Sequence, residues 1–263
     1  MLEFLKESTF RANDVFLQAL GILRKHYISV AGLCFLLFVT NNLSTYLAIY
    51  LSDLTGSGIR FVLLLIFVIL FFGLQLVLIK RAILLAKDVK KAELMSYVPS
   101  TKQFIHFILG LLSYSLITGL AYLVCAILCM PLLYMGVEMD RIAYEINPLI
   151  TGVIMMFVLI RISFFPFFIL ENNFGFIRSI KLSIAFTRGN TTNLLILMAL
   201  LASTYMGQLF FEYMDYTIFA KIMSAINTFV IIPSVSLVLA VAYIGMIKEY
   251  KGSDDPELLK NII

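Results

Sequence analysis

The sequence predicts an all-α integral membrane protein: six transmembrane helices as three hairpins, joined by cytoplasmic interfacial helices, with both termini cytoplasmic. Three observations predict it. Of the 263 residues, 61% are hydrophobic and only 14% charged, where soluble domains run at about 45–50% apolar. The mean hydropathy is +0.98, and the apolar residues lie in long, nearly uncharged runs rather than amphipathic stripes. The basic residues, finally, fall almost entirely on one side of the spans. Disorder, collagen and disulfide scaffolds are excluded. Cys34, Cys125 and Cys129 all sit inside apolar runs, where cysteine acts as a small hydrophobe, and say nothing about redox compartment.

At the N-terminus, Glu3, Lys6, Glu7, Arg11 and Asp14 interrupt the stretch where a cleavable signal would need an uncharged core, so the first span is expected to act as a signal anchor. Phe16, Ala19, Leu20 and Leu23 then recur at i, i+3, i+4 and i+7, with Asn13 or Asp14 available as a cap, which reads as a helix on the inner interface. Charge gaps set six spans at 26–51, 59–86, 103–136, 148–170, 191–212 and 217–247, each at or beyond the roughly 20 residues a bilayer requires. After the second span the chain stays helix-friendly from Lys87 to Met95 and meets Pro99. Ser100-Thr101-Lys102-Gln103 has capping-box form and starts the third span. Pro166 is expected to bend the fourth helix. Over 174–188, Arg178, Lys181 and Arg188 share one arc of a helix, and Ser179, Ser183 and Thr187 line another. Ile177, Ile180 and Ile184 lie between, so this helix should touch its own protein on several sides.

Orientation follows from the cations. Sixteen (Lys6, Arg11, Arg24, Lys25, Lys80, Arg81, Lys87, Lys90, Lys91, Lys102, Arg178, Lys181, Arg188, Lys248, Lys251 and Lys260) fall on one side and three (Arg60, Arg141 and Lys221) on the other, with Arg161 inside the fourth span. The positive-inside rule makes the richer side cytoplasmic. The net charge of +4 is then an inner-leaflet feature suited to anionic lipid, and nucleic acid is not an expected partner. Tyr46, Tyr50, Tyr134, Tyr144, Tyr213 and Tyr216 gather at the outer boundaries and Tyr27, Tyr97 and Tyr250 at the inner ones, as interfacial rings do. The outer loops 52–58, 137–147 and 213–216 are too short to fold as domains. Residues 1–263 form a single membrane domain ending in a cytoplasmic tail, 248–263. Pseudo-repeats at 8–86, 87–170 and 171–247 are suggested by Val77-Leu78-Ile79-Lys80 reappearing as Val158-Leu159-Ile160-Arg161, although apolar helices also resemble one another by chance.

The chemistry of hydrolases and metal enzymes has little to work with. His26 and His106 are 80 residues apart, Cys125 and Cys129 lack further metal ligands at suitable spacing, and no phosphate-cradling motif occurs. No cofactor is expected. None of the 16 acidic residues lies in mid-membrane, which argues against a proton-driven carrier. Asn41, Asn42, Gln75, Gln208 and Asn227 are the polar groups that could line a path, or simply join helices.

Residues 161–190 are the least generic. Thirteen residues from Pro148 put Arg161 about 20 Å below the outer boundary, within snorkelling reach of the inner side. Glu171 ends the fourth span, where a carboxylate opposes the helix dipole, so Arg178 or Arg188 is its expected partner. Gly189 and Asn190 read as a helix stop before the fifth span. The set Glu171, Gly175, Lys181, Ser183, Thr187, Arg188, Gly189 and Asn190 resembles the YciC-like bacterial inner-membrane family, related to the membrane domain preceding some glycerophosphoryl diester phosphodiesterases. The specific part covers about 20 residues, and no phosphodiesterase domain is present. The resemblance implies a six-helix inner-membrane protein without a defined activity. The leading expectation is a non-enzymatic protein that engages lipid or membrane-protein partners in envelope maintenance; the alternative is a small-solute or lipid transporter. Lys80, Arg161, Arg178, Lys181 and Arg188 form the candidate site for membrane phospholipid, preferentially anionic, against the simpler reading that each cation anchors its own helix.

Overall fold

In the computed structural model, residues 12–51, 57–89, 97–187 and 190–251 are described. Among them there is no strand, and six helical stretches are long and apolar enough to cross a membrane: Ala12–Thr40, Phe61–Ala86, Thr101–Met135, Met139–Asn172, Thr191–Tyr213 and Thr217–Ile247. The described chain is therefore all-helical, with the composition of a multi-pass membrane protein.

Helix α1 spans Ala12–Leu51 and is interrupted at His26, whose φ of −123° and ψ of 19° are not helical. The interface helix and the first span thus join in one kinked rod. Asn13 and Asp14 lie within its first turn, so neither is the cap. Val15, Ala19 and Leu23 are buried, while Leu20 is exposed; i, i+4, i+8 spacing fixes that stripe. Helix α2 spans Ser57–Ala86. It closes where the sequence suggested continuation. Asp88 takes a left-handed φ of 59°, the Val89 N–H donates to the Leu84 carbonyl and the Asp88 N–H to that of Leu85. This pattern terminates a helix, and Asp tolerates it better than most side chains. The stretch to Met95 falls mostly outside the described residues.

Helix α3, Thr101–Cys129, begins with the expected capping box, both halves formed between Ser100 and Gln103. Pro131 then tightens the chain into a 3-10 segment, Met130–Met135, closed by Gly136 at φ +85°. A π turn, Ile142–Ile146, leads into α4, Asn147–Ile162. The fourth span does not merely bend at Pro166. It breaks, and resumes as α5, Phe165–Asn172. Proline has no N–H and crowds the carbonyl four residues back, so the preceding turn cannot stay α-helical.

The connector helix α6, Phe176–Thr187, buries Ser179, Ser183 and Thr187 completely, and leaves Ile177 and Ile184 exposed. Helix α7 spans Thr191–Tyr213 and α8 Thr217–Ile226. A second π turn, Asn227–Ile231, precedes α9, Ile232–Lys251. Pro233 explains it: the Phe229 carbonyl loses its proline-side donor and receives the Tyr27 hydroxyl instead, at 3.2 Å.

Helix α9 packs against both α1 and α2. The core they share with α5 is aromatic: the Tyr243 ring lies 5.4 Å from that of Phe167 and 5.2 Å from that of Phe168, and Phe168 meets Phe186 of α6 edge-on at 5.2 Å. Gly110 lets α3 approach α5, because a Cβ there would stand 2.5 Å from the Phe165 ring, which is stacked on Phe107 with 10° between planes.

Candidate functional site: a cationic groove and a polar cavity

The break between α4 and α5 creates the first site. Where the helix stops, the Arg161 carbonyl and the Phe164 N–H lose their intrahelical partners. Ser183 satisfies both: its hydroxyl donates to Arg161 O at 2.8 Å and accepts from Phe164 N at 3.1 Å. Thr187 adds a longer bond to the same Arg161 carbonyl, 3.3 Å, besides its local bond to Ser183 O at 2.9 Å. The hydroxyl stripe thus docks α6 onto the broken helix. Lys181, on the other arc of α6, is thereby brought beside the Arg161 side chain.

Between them is a lateral groove of about 580 Å³, lined by Phe157, Val158, Arg161, Ile162, Lys181, Ile184 and Ala185. Each helix supplies an i, i+3, i+4 face: Val158, Arg161 and Ile162 from α4, and Lys181, Ile184 and Ala185 from α6. Neither cation forms an ion pair among the described residues, where the pairs are Lys87 with Glu171 and Arg141 with Glu145. Two cations, neither ion-paired among the described residues, thus stand over an apolar floor of Phe157, Val158, Ile162, Ile184 and Ala185.

The other expected site residues are placed elsewhere. Lys80 donates to the Val98 carbonyl at 3.0 Å, and Arg178 lies over the Phe174 ring at 4.1 Å. Arg188 and Gly189 fall outside the described residues. Gly175 offers its carbonyl to the Ser179 N–H at the start of α6, and Asn190 is buried beside Met246, its amide 3.7 Å from the sulfur. The partner of Glu171 is not on α6: Lys87, just past the end of α2, reaches its Oε1 at 2.5 Å. The expectation missed this because it weighed only cations near in sequence.

Two further polar anchors make tertiary contacts that the sequence did not signal. Arg81 is buried, donating through Nε and Nη2 to Ser29 Oγ at 3.2 and 2.9 Å and through Nη1 to the Tyr97 hydroxyl. Gln103, having completed the capping box, sends its amide nitrogen to Leu170 O at 3.1 Å and Asn173 Oδ1 at 2.6 Å. One residue thereby caps the start of α3 and the end of α5.

The second site gathers amides that are far apart in sequence. Asn42, Gln75, Gln208 and Asn227 line one cavity of about 520 Å³, with Phe38, Phe71, Tyr205, Ser224, Thr228 and Ser236 among the other walls. It lies between α1, α2, α7 and the α8–α9 region. Asn227, on the π turn and buried, donates to Gln208 Oε1 at 2.8 Å, and its own Oδ1 has no hydrogen-bond partner. Asn41 is not described at side-chain level. Comparison with protein-family models, curated proteins and solved structures finds no match to this chain.

Proposed function

We propose that this chain is a non-enzymatic, multi-pass protein of the bacterial inner membrane that holds anionic phospholipid in the groove between Arg161 and Lys181 and acts in envelope maintenance. The observation that carries the reading is the pairing of those two cations, unneutralised by any carboxylate among the described residues, above apolar side chains on a lateral face. Arginine offers a fork that matches phosphate oxygens, and lysine adds a mobile point charge. The sixteen-to-three division of basic residues supports a cytoplasmic end for the groove, three hairpins and cytoplasmic termini. The resemblance of Glu171, Gly175, Lys181, Ser183, Thr187 and Asn190 to the YciC-like family supports the same location. A small-solute or lipid transporter is the second reading, favoured by the amide-lined cavity.

Native mass spectrometry of protein purified from one membrane source tests the lipid site. Wild type and Lys80→Gln should retain anionic phospholipid, and the Arg161→Gln, Lys181→Gln double variant should lose it with its helical content intact. Equal lipid in all three would refute the groove. Orientation has its own check: single cysteines at positions 55 and 140 should react with an impermeant reagent from outside, and those at 90 and 255 only after permeabilisation. Outside labelling at 90 would overturn the topology.

A further inference from the structure

The amide cavity is a second site, and its chemistry narrows what can occupy it. Among the described residues no charged side chain lines it; Glu212 approaches through Gln208, whose Nε2 donates to its Oε1 at 2.9 Å. An ion would enter uncompensated, which a low-dielectric surrounding penalises heavily. A wholly apolar occupant would leave the amides unsatisfied.

The distribution of donors and acceptors then matters. Gln208 has both ends of its amide engaged, with Asn227 and Glu212. Asn42 spends its nitrogen on the Phe38 carbonyl at 2.8 Å, which leaves its oxygen as an acceptor. Asn227, only 2% exposed, keeps an oxygen with no partner. An unpaired buried acceptor is costly to leave unsatisfied, and this one sits on a π turn, a helix irregularity that recurs at functional sites. Gln75 and the Tyr205 hydroxyl supply donors as well as acceptors. Phe38, Phe71 and Tyr205 complete the wall with aromatic surface.

We infer that this cavity binds an uncharged polyhydroxyl group, a free polyol or the sugar or polyol headgroup of a neutral lipid. Hydroxyls satisfy both amide oxygens as donors and accept from Gln75, while the C–H faces of the same group rest on the aromatic rings. The cavity volume of about 520 Å³ lies in the range of small-molecule sites, roughly 300–1,000 Å³. The inference is independent of the cationic groove, whose lining residues all belong to other helices.

The chain contains no tryptophan, so Phe71→Trp, or in a separate variant Phe38→Trp, installs a single tryptophan in the cavity wall, excited selectively at the red edge beyond tyrosine absorption. The full-length protein is reconstituted in phosphatidylcholine vesicles and titrated with glycerol, myo-inositol and glucose. In a parallel series, monoglucosyl diacylglycerol is added to the vesicles. A saturable change in emission is expected, and Asn227→Leu should raise the half-saturation point at least tenfold. Saturation by free polyols identifies a solute site; saturation by the glycolipid alone identifies a lipid headgroup site. No saturable response to either, or a response unchanged by Asn227→Leu in a folded protein, would overturn the inference. Should Asn227→Leu fail to fold, Gln75→Leu makes the same comparison.

Discussion

Replacing Ser183 with alanine tests whether a hydroxyl stripe holds the broken fourth span. The change deletes one oxygen from a fully buried site, so the cavity left behind is small and the loss is one of hydrogen bonds. Ser183 donates to Arg161 O and accepts from Phe164 N at 2.8 and 3.1 Å. An ordinary hydrogen bond contributes a net of about 1 kcal/mol, and those between membrane helices average about 0.6 kcal/mol. Leaving the buried Phe164 N–H bare costs a further 1–3 kcal/mol or so. The Arg161 carbonyl keeps its longer bond from Thr187. Ser183→Ala should therefore destabilise by about 2 kcal/mol. Thr187→Val should cost about 0.5 kcal/mol, since only its 3.3 Å bond leaves α6. The double variant strips that carbonyl of both donors and should exceed the sum of the singles by about 1 kcal/mol. Ser179 is the internal control: equally buried on the same helix face, its hydroxyl has no hydrogen-bond partner, so Ser179→Ala should be neutral or stabilising. Equilibrium unfolding in mixed micelles, followed by far-ultraviolet circular dichroism, measures all four. If Ser183→Ala and Ser179→Ala are equally mild, the stripe does not anchor α6.

Two further predictions use the same assay. Gln103→Glu keeps the cap on Ser100 but turns an oxygen toward the acceptors Leu170 O and Asn173 Oδ1; it should cost about 2 kcal/mol at neutral pH. A Gln103→Glu variant as stable as wild type would count against the contact. For the ion pair, Lys87→Met and Glu171→Gln should show a coupling of about 0.5–1 kcal/mol in a double-variant cycle, modest because the side chains are 39% and 21% exposed. Strict additivity would show that Glu171 depends on another neighbour.

Proline and polar residues account for what could be read in advance and what could not. The capping box at Ser100 and the serine–threonine stripe of α6 are local patterns, visible because their members stand three or four residues apart. Pro166 announced the disruption of the fourth span, but its form depends on Ser183 arriving from another helix to satisfy the broken turn. Pro233 carried an equal warning: its missing N–H leaves Phe229 O to Tyr27, from the far end of the chain. The amides were recognisable as odd groups in apolar spans. Their convergence was not, because α1, α2, α7 and the α8–α9 region meet only through tertiary packing. Glu171 fails as a sequence inference for the same reason, since Lys87 is 84 residues away.

Arg161 links structure and site in one residue. Its carbonyl, freed by the helix break, receives Ser183 and Thr187, and its side chain lines the groove opposite Lys181. In an unbroken helix that carbonyl would be occupied within its own span, and α6 would lose the polar reason to dock there. A cation at position 161 would then stand alone on a lipid-facing helix, which supports anchoring but not a paired phosphate site. The proline-induced break and the two-cation groove are consequently parts of one device: disrupting the backbone is what draws a second basic residue to the first.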